Sequence, residues 1–258
     1  MDLFLRIIVC FIAGAGAGIG TGFAGMSAAG IIAPMLTVFL DVPAYEAIGI
    51  GLLSDVLASG VSAYTYKKSG NLDIRRSLPM LISVLLMTVV GSFVASFLPE
   101  RAMGNTSQIA MLIIGLRFLL KPSRATASRT NTDSSRARLI KAIVGGVLVG
   151  FICGFVGAGG GMMMLFVLTS FLGYELHIAV GTSVFIMTFT ALTGGVSHFV
   201  INGMPDLLCL ALCVVFTLIW ARIASLIANR SKAETLSRVV GIVMILTAAT
   251  ILIVRLIK

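Results

Sequence analysis

Two long apolar stretches of the chain share one unusual pattern, in which glycines interrupt otherwise hydrophobic sequence. The first reads GAGAGIGTGFAGMSAAGIIAPMLTVFL over residues 14–40, and the second reads GVLVGFICGFVGAGGGMMMLFVLTSFL over residues 146–172. A shift of 132 residues aligns them without a gap and gives eleven identical residues in the 36 positions 14–49. That is roughly three times what so biased a composition gives by chance. The pattern predicts two copies of one unit, each opening with a glycine-rich element.

Each glycine-rich element is predicted to be a helical hairpin with a break, either re-entrant or barely spanning. Residues 3–40 are too many for one upright helix, because about 20 residues cross a bilayer. The break is expected near Thr21–Ser27, where Gly22 and Gly25 weaken the helical preference, and Pro34 is a second weak point. The corresponding hairpin of the second copy is residues 142–172.

The rest of the chain is predicted to form further apolar transmembrane spans. The first repeat, residues 1–120, contains hairpin 3–40 and spans 44–66, 78–98 and 105–120; the second, residues 142–258, contains hairpin 142–172 and spans 176–201, 205–228 and 238–257. Between them, residues 121–141 are rich in Ser, Thr and Arg and carry six basic residues against Asp133. We interpret this segment as a flexible cytoplasmic linker.

Composition supports an all-α, polytopic protein of the inner or plasma membrane. The sequence is 58% hydrophobic and 11% charged, whereas soluble proteins carry about 25% charged residues. The net charge of +9 would suggest nucleic acid in a soluble chain, but here the basic residues lie mostly between spans and indicate topology. We expect the N-terminus to be retained, because the glycine pattern runs through any signal-peptide cleavage point.

The loop charges predict that the two repeats have opposite orientations. The loop at 67–76 carries four basic residues, and its counterpart at 201–206 carries none; the loop at 99–105 has only Arg101, whereas 229–238 has three basic residues. By the positive-inside rule, corresponding loops face opposite sides, and both termini face outward. Inverted repeats of this kind are typical of secondary transporters, which bind substrate near the midplane.

The glycines divide into two groups with different expected roles. Those at four-residue spacing (Gly14, Gly18 and Gly22; Gly146, Gly150 and Gly154) are typical of close helix packing. The inner clusters, 22–30 and 154–161, expose backbone N–H groups that need partners within the membrane, and a helix starting after the break directs its positive end at the gap. We predict an anion site there, formed by Thr21, Gly22, Gly25, Ser27, Gly30, Cys153, Gly154, Gly157, Gly159, Gly160 and Gly161.

The segments GFAGMSAAGIIAPML and GFVGAGGGMMMLFVL, on two halves of about 130 residues, resemble the sulfite exporter TauE/SafE family of anion permeases. The resemblance covers essentially the whole chain. It implies transport of sulfur-containing anions such as sulfite and sulfonates across the cytoplasmic membrane, mostly outward. Two departures leave the substrate open: the first copy has Ser27, Ala28 and Ala29 where a glycine run is usual, and the second has Phe166 opposite Pro34.

Polar residues inside apolar spans are further candidates, because they are unfavourable in lipid. Asp55 is the acidic residue deepest in a span; it is either a proton-coupling carboxylate, a partner for a buried Arg, or a group with access to water. Thr182 and Ser183 are candidate hydroxyl donors to an oxyanion, although intramembrane Ser and Thr often bond only their own backbone. His198 is either a second coupling candidate, since histidine exchanges protons near neutral pH, or an interfacial residue.

No enzymatic chemistry is indicated, and no metal or cofactor is expected. The four cysteines (Cys10, Cys153, Cys209 and Cys213) lie in apolar segments without metal-ligand spacing. The expected partners are a small anionic substrate and the bilayer, with no nucleic acid and with homodimerisation left open. The rival functions are an anion channel, a membrane-embedded enzyme or assembly factor, and thiosulfate uptake with Cys153 as a soft contact. Anion identity, direction, coupling ion and absolute orientation stay open.

Overall fold

The computed structural model of the protein describes residues 3–95, 112–113, 115–117, 119–120, 135–156, 160–202 and 205–257. These residues form nine helices, and residues 112–113, 115–117 and 119–120 are also helical. The helices are α1 (Leu3–Ala24), α2 (Ala29–Phe39), α3 (Ala44–Lys68), α4 (Ile74–Ala95), α5 (Ser135–Val156), α6 (Gly160–Ser170), α7 (Leu176–Asn202), α8 (Leu207–Arg230) and α9 (Ala233–Ile257).

The described residues confirm the all-α membrane fold. Five helices (α1, α3, α4, α7 and α8) are long and apolar enough to cross a bilayer, and α2 is a shorter apolar helix. Their outward faces carry exposed large hydrophobic residues, for example Ile219 and Ile223 of α8. Because such a surface is unfavourable in water but not in hydrocarbon, lipid is its natural surrounding.

One helix begins earlier than the sequence pattern suggests. Helix α5 begins at Ser135, so residues 135–141, predicted to belong to the linker, are helical. Arg138 and Lys141 extend this helix beyond its apolar part, since long basic side chains keep their charge in water while their stems cover the helix. Residues 96–111, which include the end of span 78–98 and the start of span 105–120, lie outside the described residues.

Polar contacts tie three helix ends together at one face, here called the Asp206 face. Asp206 precedes α8, and its carboxylate accepts from Arg6 of α1 at 2.8 Å. The backbone N–H of Asp206 donates to Glu46 in the first turn of α3 at 2.7 Å. Since α2 ends at Phe39, five residues before α3 begins, the α1–α2 hairpin starts and ends at this face.

The opposite face, here called the Lys68 face, collects the other ends of α3 and α8. Asn71, just after α3, donates to Asn229 near the end of α8 at 2.8 Å. His177, in the first turn of α7, bonds the carbonyl of Ser231 at 2.9 Å. Helices α3 and α8 therefore run in the same direction, from the Asp206 face to the Lys68 face, and α7 runs the opposite way.

The outer glycines confirm the helix-packing prediction. A Cβ on Gly18 of α1 would lie 2.5 Å from the Thr217 carbonyl oxygen of α8, and one on Gly150 of α5 would lie 2.5 Å from the Val84 carbonyl oxygen of α4. Neither approach leaves room for a methyl group. Gly18 and Gly150 are equivalent under the 132-residue shift, so the same position of each hairpin presses against a helix of the other half.

Candidate functional site

The first break lies where the glycines predicted it. Helix α1 ends at Ala24, α2 begins at Ala29, and Gly25 adopts φ +60°, the left-handed conformation that favours glycine. The N–H of Gly25 donates to the Thr21 carbonyl at 3.0 Å, and the Thr21 hydroxyl donates to the Met26 carbonyl at 2.9 Å. The turn is thus held by its own backbone and by one buried hydroxyl.

The two glycine-rich elements meet at this break. A Cβ added to Gly161, in the first turn of α6, would collide with the Gly25 carbonyl oxygen and with the Met187 sulfur of α7. A Cβ added to Gly25 would collide with the Ser183 hydroxyl of α7. The structure therefore brings together three residues that the sequence placed in one site, namely Gly25, Gly161 and Ser183.

Asp55 of α3 faces the same break. Its side chain is 1% exposed, and neither carboxylate oxygen has a hydrogen bond of acceptable geometry within the described part of the chain. The nearest polar groups are the Ser27 hydroxyl, the Ala28 backbone N–H and the Thr21 hydroxyl. No charged side chain of the described residues faces it. A buried carboxyl without a counter-charge is very unfavourable when ionised, so it needs a proton or another cation.

The second break is described only on its two sides. Helix α5 ends at Val156 and α6 begins at Gly160, so the predicted site residues Gly157 and Gly159 lie outside the described residues. Gly154 and Gly160 are helical, but their surroundings are not described. Cys153, in the last turn of α5, is half-buried and packs against the core cluster that contains Met164 and Leu165.

The predicted hydroxyl donors of α7 differ from each other. Ser183 is fully buried and donates to the carbonyl of Val180 at 2.8 Å, so its proton is committed to its own helix. Thr182 is also fully buried, but its hydroxyl oxygen has no hydrogen-bond partner among the described residues. Of the two residues, Thr182 is therefore the one whose hydroxyl is available to donate a hydrogen bond to a substrate.

Three other predicted residues lie at or beyond the edge of this cluster. Gly22 packs against Ala224 and Ser225 of α8, and its carbonyl accepts from the Tyr66 hydroxyl at 2.9 Å. Gly30 is in the first turn of α2 and is half-buried. His198 lies within α7, and its side chain is outside the described residues.

One residue at this cluster was missed from the sequence. Met187 contacts Gly161, and the 132-residue shift makes it the counterpart of Asp55. A methionine in an apolar helix carries no signal by itself, because it is usually a core residue. Its equivalence to Asp55 was the signal that could have singled it out.

Comparisons with known proteins agree with a transporter. The profile of the family described as Sulfite exporter TauE/SafE matches residues 10–251. The chain is 25% identical over 230 residues to "Probable membrane transporter protein YdhB" of Bacillus subtilis (strain 168), covering 87% of this chain and 90% of that protein. It is 25% identical over 264 residues to "Probable membrane transporter protein YunE" of the same strain, with 95% and 96% covered.

A more distant organism has a similar protein. The chain is 28% identical over 207 residues to "Probable membrane transporter protein MJ0441" of Methanocaldococcus jannaschii, covering 77% of this chain and 73% of that protein. No solved structure matches the chain significantly. The match over residues 10–251 spans nearly all of the helical structure described above. The chain belongs to the sulfite exporter TauE/SafE family and is a multi-pass transporter of the plasma membrane.

Proposed function

We propose that this protein is a secondary transporter that exports a small sulfur-containing anion, such as sulfite or a sulfonate, across the cytoplasmic membrane. The observation that carries the proposal is the contact between the two glycine-rich elements at Gly25 and Gly161. A site shared by both halves at their meeting point is what alternating access requires, because motion of one half against the other exposes it to each side in turn.

Backbone N–H groups would supply most of the anion contacts. Helices α2 and α6 begin at the breaks, so the positive ends of their dipoles are directed at the cluster. In α2 the N–H groups of Gly30 and Ile31 already donate to the carbonyls of Ser27 and Ala28, so an anion would have to share or replace these bonds. In this conformation the Ala28 N–H faces Asp55, and the Gly25 carbonyl packs on Gly161. These contacts leave no room for an anion between Gly25 and Gly161, so loading requires the two elements to separate.

The helix directions support inverted repeats. The α1–α2 hairpin opens at the Asp206 face. The contacts of Gly146 with Met80 and of Gly150 with Val84 make α5 run parallel to α4, which starts at the Lys68 face. The second hairpin therefore opens at the opposite face. Equivalent helices α3 and α7 are antiparallel, since Gly181 packs on Tyr66 and Gly195 on Leu53.

Charge supports an orientation with the Lys68 face in the cytoplasm. This face collects nine of the basic residues at described helix ends, whereas Arg6, which is paired with Asp206, and Arg255, near the end of α9, lie toward the Asp206 face. By the positive-inside rule both termini then face outward. The basic residues at the Lys68 face are Lys67, Lys68, Arg75, Arg76, Arg136, Arg138, Arg230, Lys232 and Arg238.

Asp55 would couple the binding of a proton to the binding of the anion. When ionised, its carboxylate competes with substrate for the Ala28 N–H at the positive end of α2, and it repels an anion held nearby. Protonation removes the repulsion and weakens the competition, because a neutral carboxyl is a poorer acceptor than a carboxylate. Anion loading would therefore accompany protonation of Asp55, and the two would move together.

A second candidate is a permease that takes up thiosulfate. The observation favouring it is the pair of sulfur atoms near the second break, from Cys153 and Met187. Sulfur is soft and polarisable, and it suits the terminal sulfur of thiosulfate better than the oxygens of sulfite. Loss of thiosulfate transport in Cys153→Ala, with sulfite transport unchanged, would favour this candidate. An anion channel is the third possibility and would show unitary currents in bilayer recordings.

The proposal is tested by anion flux in proteoliposomes. Wild-type protein is expected to transport at least one of sulfite, thiosulfate, sulfoacetate and taurine, but not chloride. Gly25→Leu is expected to reduce that flux at least about tenfold, because its side chain would displace Ser183 at the meeting point of the halves. Gly60→Ala is the control, since its Cβ would lie 3.7 Å from Thr188, an ordinary contact. Undiminished flux in folded Gly25→Leu would refute the site.

A further inference from the structure

A groove at the Lys68 face lies between α3 and α8, away from the glycine breaks. It has a volume of about 350 Å³ and is lined by Val61, Tyr64 and Lys68 of α3, by Ser69, and by Arg222 and Leu226 of α8. It opens to the outer surface of the helices, because Tyr64 is 68% exposed and Leu226 is 44% exposed. In a membrane, that surface is covered by lipid.

Arg222 is an exposed charged residue that lies unusually far from the end of its transmembrane helix. It precedes the end of α8 at Arg230 by eight residues, which is about 12 Å along a helix. Its neighbours Ile219, Ile223 and Leu226 are exposed hydrophobic residues, so this part of α8 faces hydrocarbon. The guanidinium must reach toward the headgroup level, and at the edge of the hydrocarbon it is stabilised by an anion.

The protein itself supplies no such anion among the described residues. Arg222 and Lys68 are both exposed, and neither forms an ion pair there. At this face Asp73 pairs with Arg76, and Glu234 pairs with Arg238. The groove thus combines two free cations and the Tyr64 hydroxyl at its mouth with apolar walls from Val61 and Leu226.

We propose that this groove binds the headgroup of an anionic phospholipid. Its phosphate would lie between Lys68 and Arg222, and one acyl chain would follow the apolar wall toward Ile223. Charged residues from two helices at the cytoplasmic end of a transmembrane bundle are a known setting for anionic headgroups. The lipid would also join α3 to α8, which together carry Asp55 and the surface that packs against α1.

The test is native mass spectrometry of purified, delipidated protein after incubation with phosphatidylglycerol or with phosphatidylcholine of the same acyl chains. The expected result is preferential retention of phosphatidylglycerol, reduced about fivefold in each of Arg222→Gln and Lys68→Gln. Lys67→Gln is the matched control, because Lys67 is the adjacent lysine and does not line the groove. It is expected to retain the lipid as wild type does.

Three outcomes would overturn the proposal. They are equal retention of the two lipids, an equal loss in Lys67→Gln, and displacement of phosphatidylglycerol by excess inorganic phosphate, which would indicate a site for free phosphate instead. Should Arg222→Gln fail to fold, Lys68→Gln alone decides, since its side chain is exposed at the helix end. Anion flux is not part of this test, so the proposed transport activity stands or falls separately.

Discussion

The two glycine-rich elements share a sequence pattern but differ in side-chain chemistry. Under the 132-residue shift, Thr21 corresponds to Cys153, Ser27 to Gly159 and Asp55 to Met187. Each of these three changes replaces an oxygen-bearing side chain of the first half by a sulfur-bearing one or by none, whereas Ile50 and Gly51 correspond to Thr182 and Ser183, where the second half carries the hydroxyl. Of the three pairs, only Asp55 can exchange a proton near neutral pH, so under the proposed mechanism the coupling group lies in the first half.

This difference shows which part of the repeated unit is constrained in both halves. The close approaches of Gly18 and Gly150 to neighbouring helices are equivalent, because the helices must pack at the same distance in each half. The side chains at positions 21, 27 and 55, in contrast, differ from their counterparts in the second half. Under the proposed mechanism, the coupling proton is then bound in the first half, while the starts of α2 and α6 both contribute to anion binding.

The largest effect is expected from the side chain that distinguishes the breaks. Asp55→Asn should abolish the pH dependence of anion flux, because the amide, like the protonated acid, is neutral and does not repel an anion, and it does not titrate. Wild-type flux should rise as pH falls, by up to about tenfold per pH unit for one required proton. Proteoliposome flux between mildly acidic and mildly alkaline pH measures this.

The matched substitution is Met187→Leu at the equivalent position. It preserves an apolar side chain of similar volume, and its flux should stay within about threefold of wild type, with the same pH dependence. If Met187→Leu also flattened the pH profile, the division of roles between the two breaks would be wrong.

The helix packing around the breaks should respond equally in both halves. Gly18→Ala and Gly150→Ala each place a Cβ 2.5 Å from a backbone oxygen, and each should destabilise the protein by about 1–3 kcal/mol, seen as a lower melting temperature. Gly16→Ala is the control, since its nearest neighbour, Ile31, would lie at 3.6 Å. A large loss for Gly18→Ala with none for Gly150→Ala would show that the halves do not pack alike.

The smallest effect concerns the face where the first hairpin opens. Asp206 caps α8 by accepting from the N–H groups of Leu208 and Cys209 at 3.0 and 3.2 Å, and it pairs with Arg6. Burial alone would raise the pKa of Asp206, but the N–H groups of Cys209 and Leu208, together with Arg6, outweigh it and hold the pKa below its ordinary value. Asp206→Ala should destabilise the protein by about 1 kcal/mol.

The sign of the pH effect follows from that lowered pKa. A carboxyl that is more acidic when folded contributes stability above its unfolded-state pKa and loses it as pH falls through the folded-state pKa. The difference in melting temperature between wild type and Asp206→Ala should therefore be full at neutral pH and shrink in strong acid. A difference that grew on acidification would contradict the ion pair and the cap.

Much of the architecture was predictable because it depends on local composition. Charge-poor runs of about 20 residues define spans wherever they occur, and the left-handed turn at Gly25 needs a residue without a Cβ. The helical start of α5 at Ser135 was not predicted, because basic and hydroxyl residues at a membrane surface suit a linker and a helix end equally well. Residues 157–159, which complete the second break, lie outside the described part.

The sequence by itself determined a helical membrane protein with two glycine-interrupted copies of one unit, because apolar length and glycine spacing act within a single segment. Only the tertiary structure decided that Gly25 touches Gly161, that Asp55 faces the first break, and that the Ser183 hydroxyl is committed to its own helix while that of Thr182 is not. Those relations join residues from different helices. They depend on helix directions and rotations, which packing between segments sets and no single segment encodes.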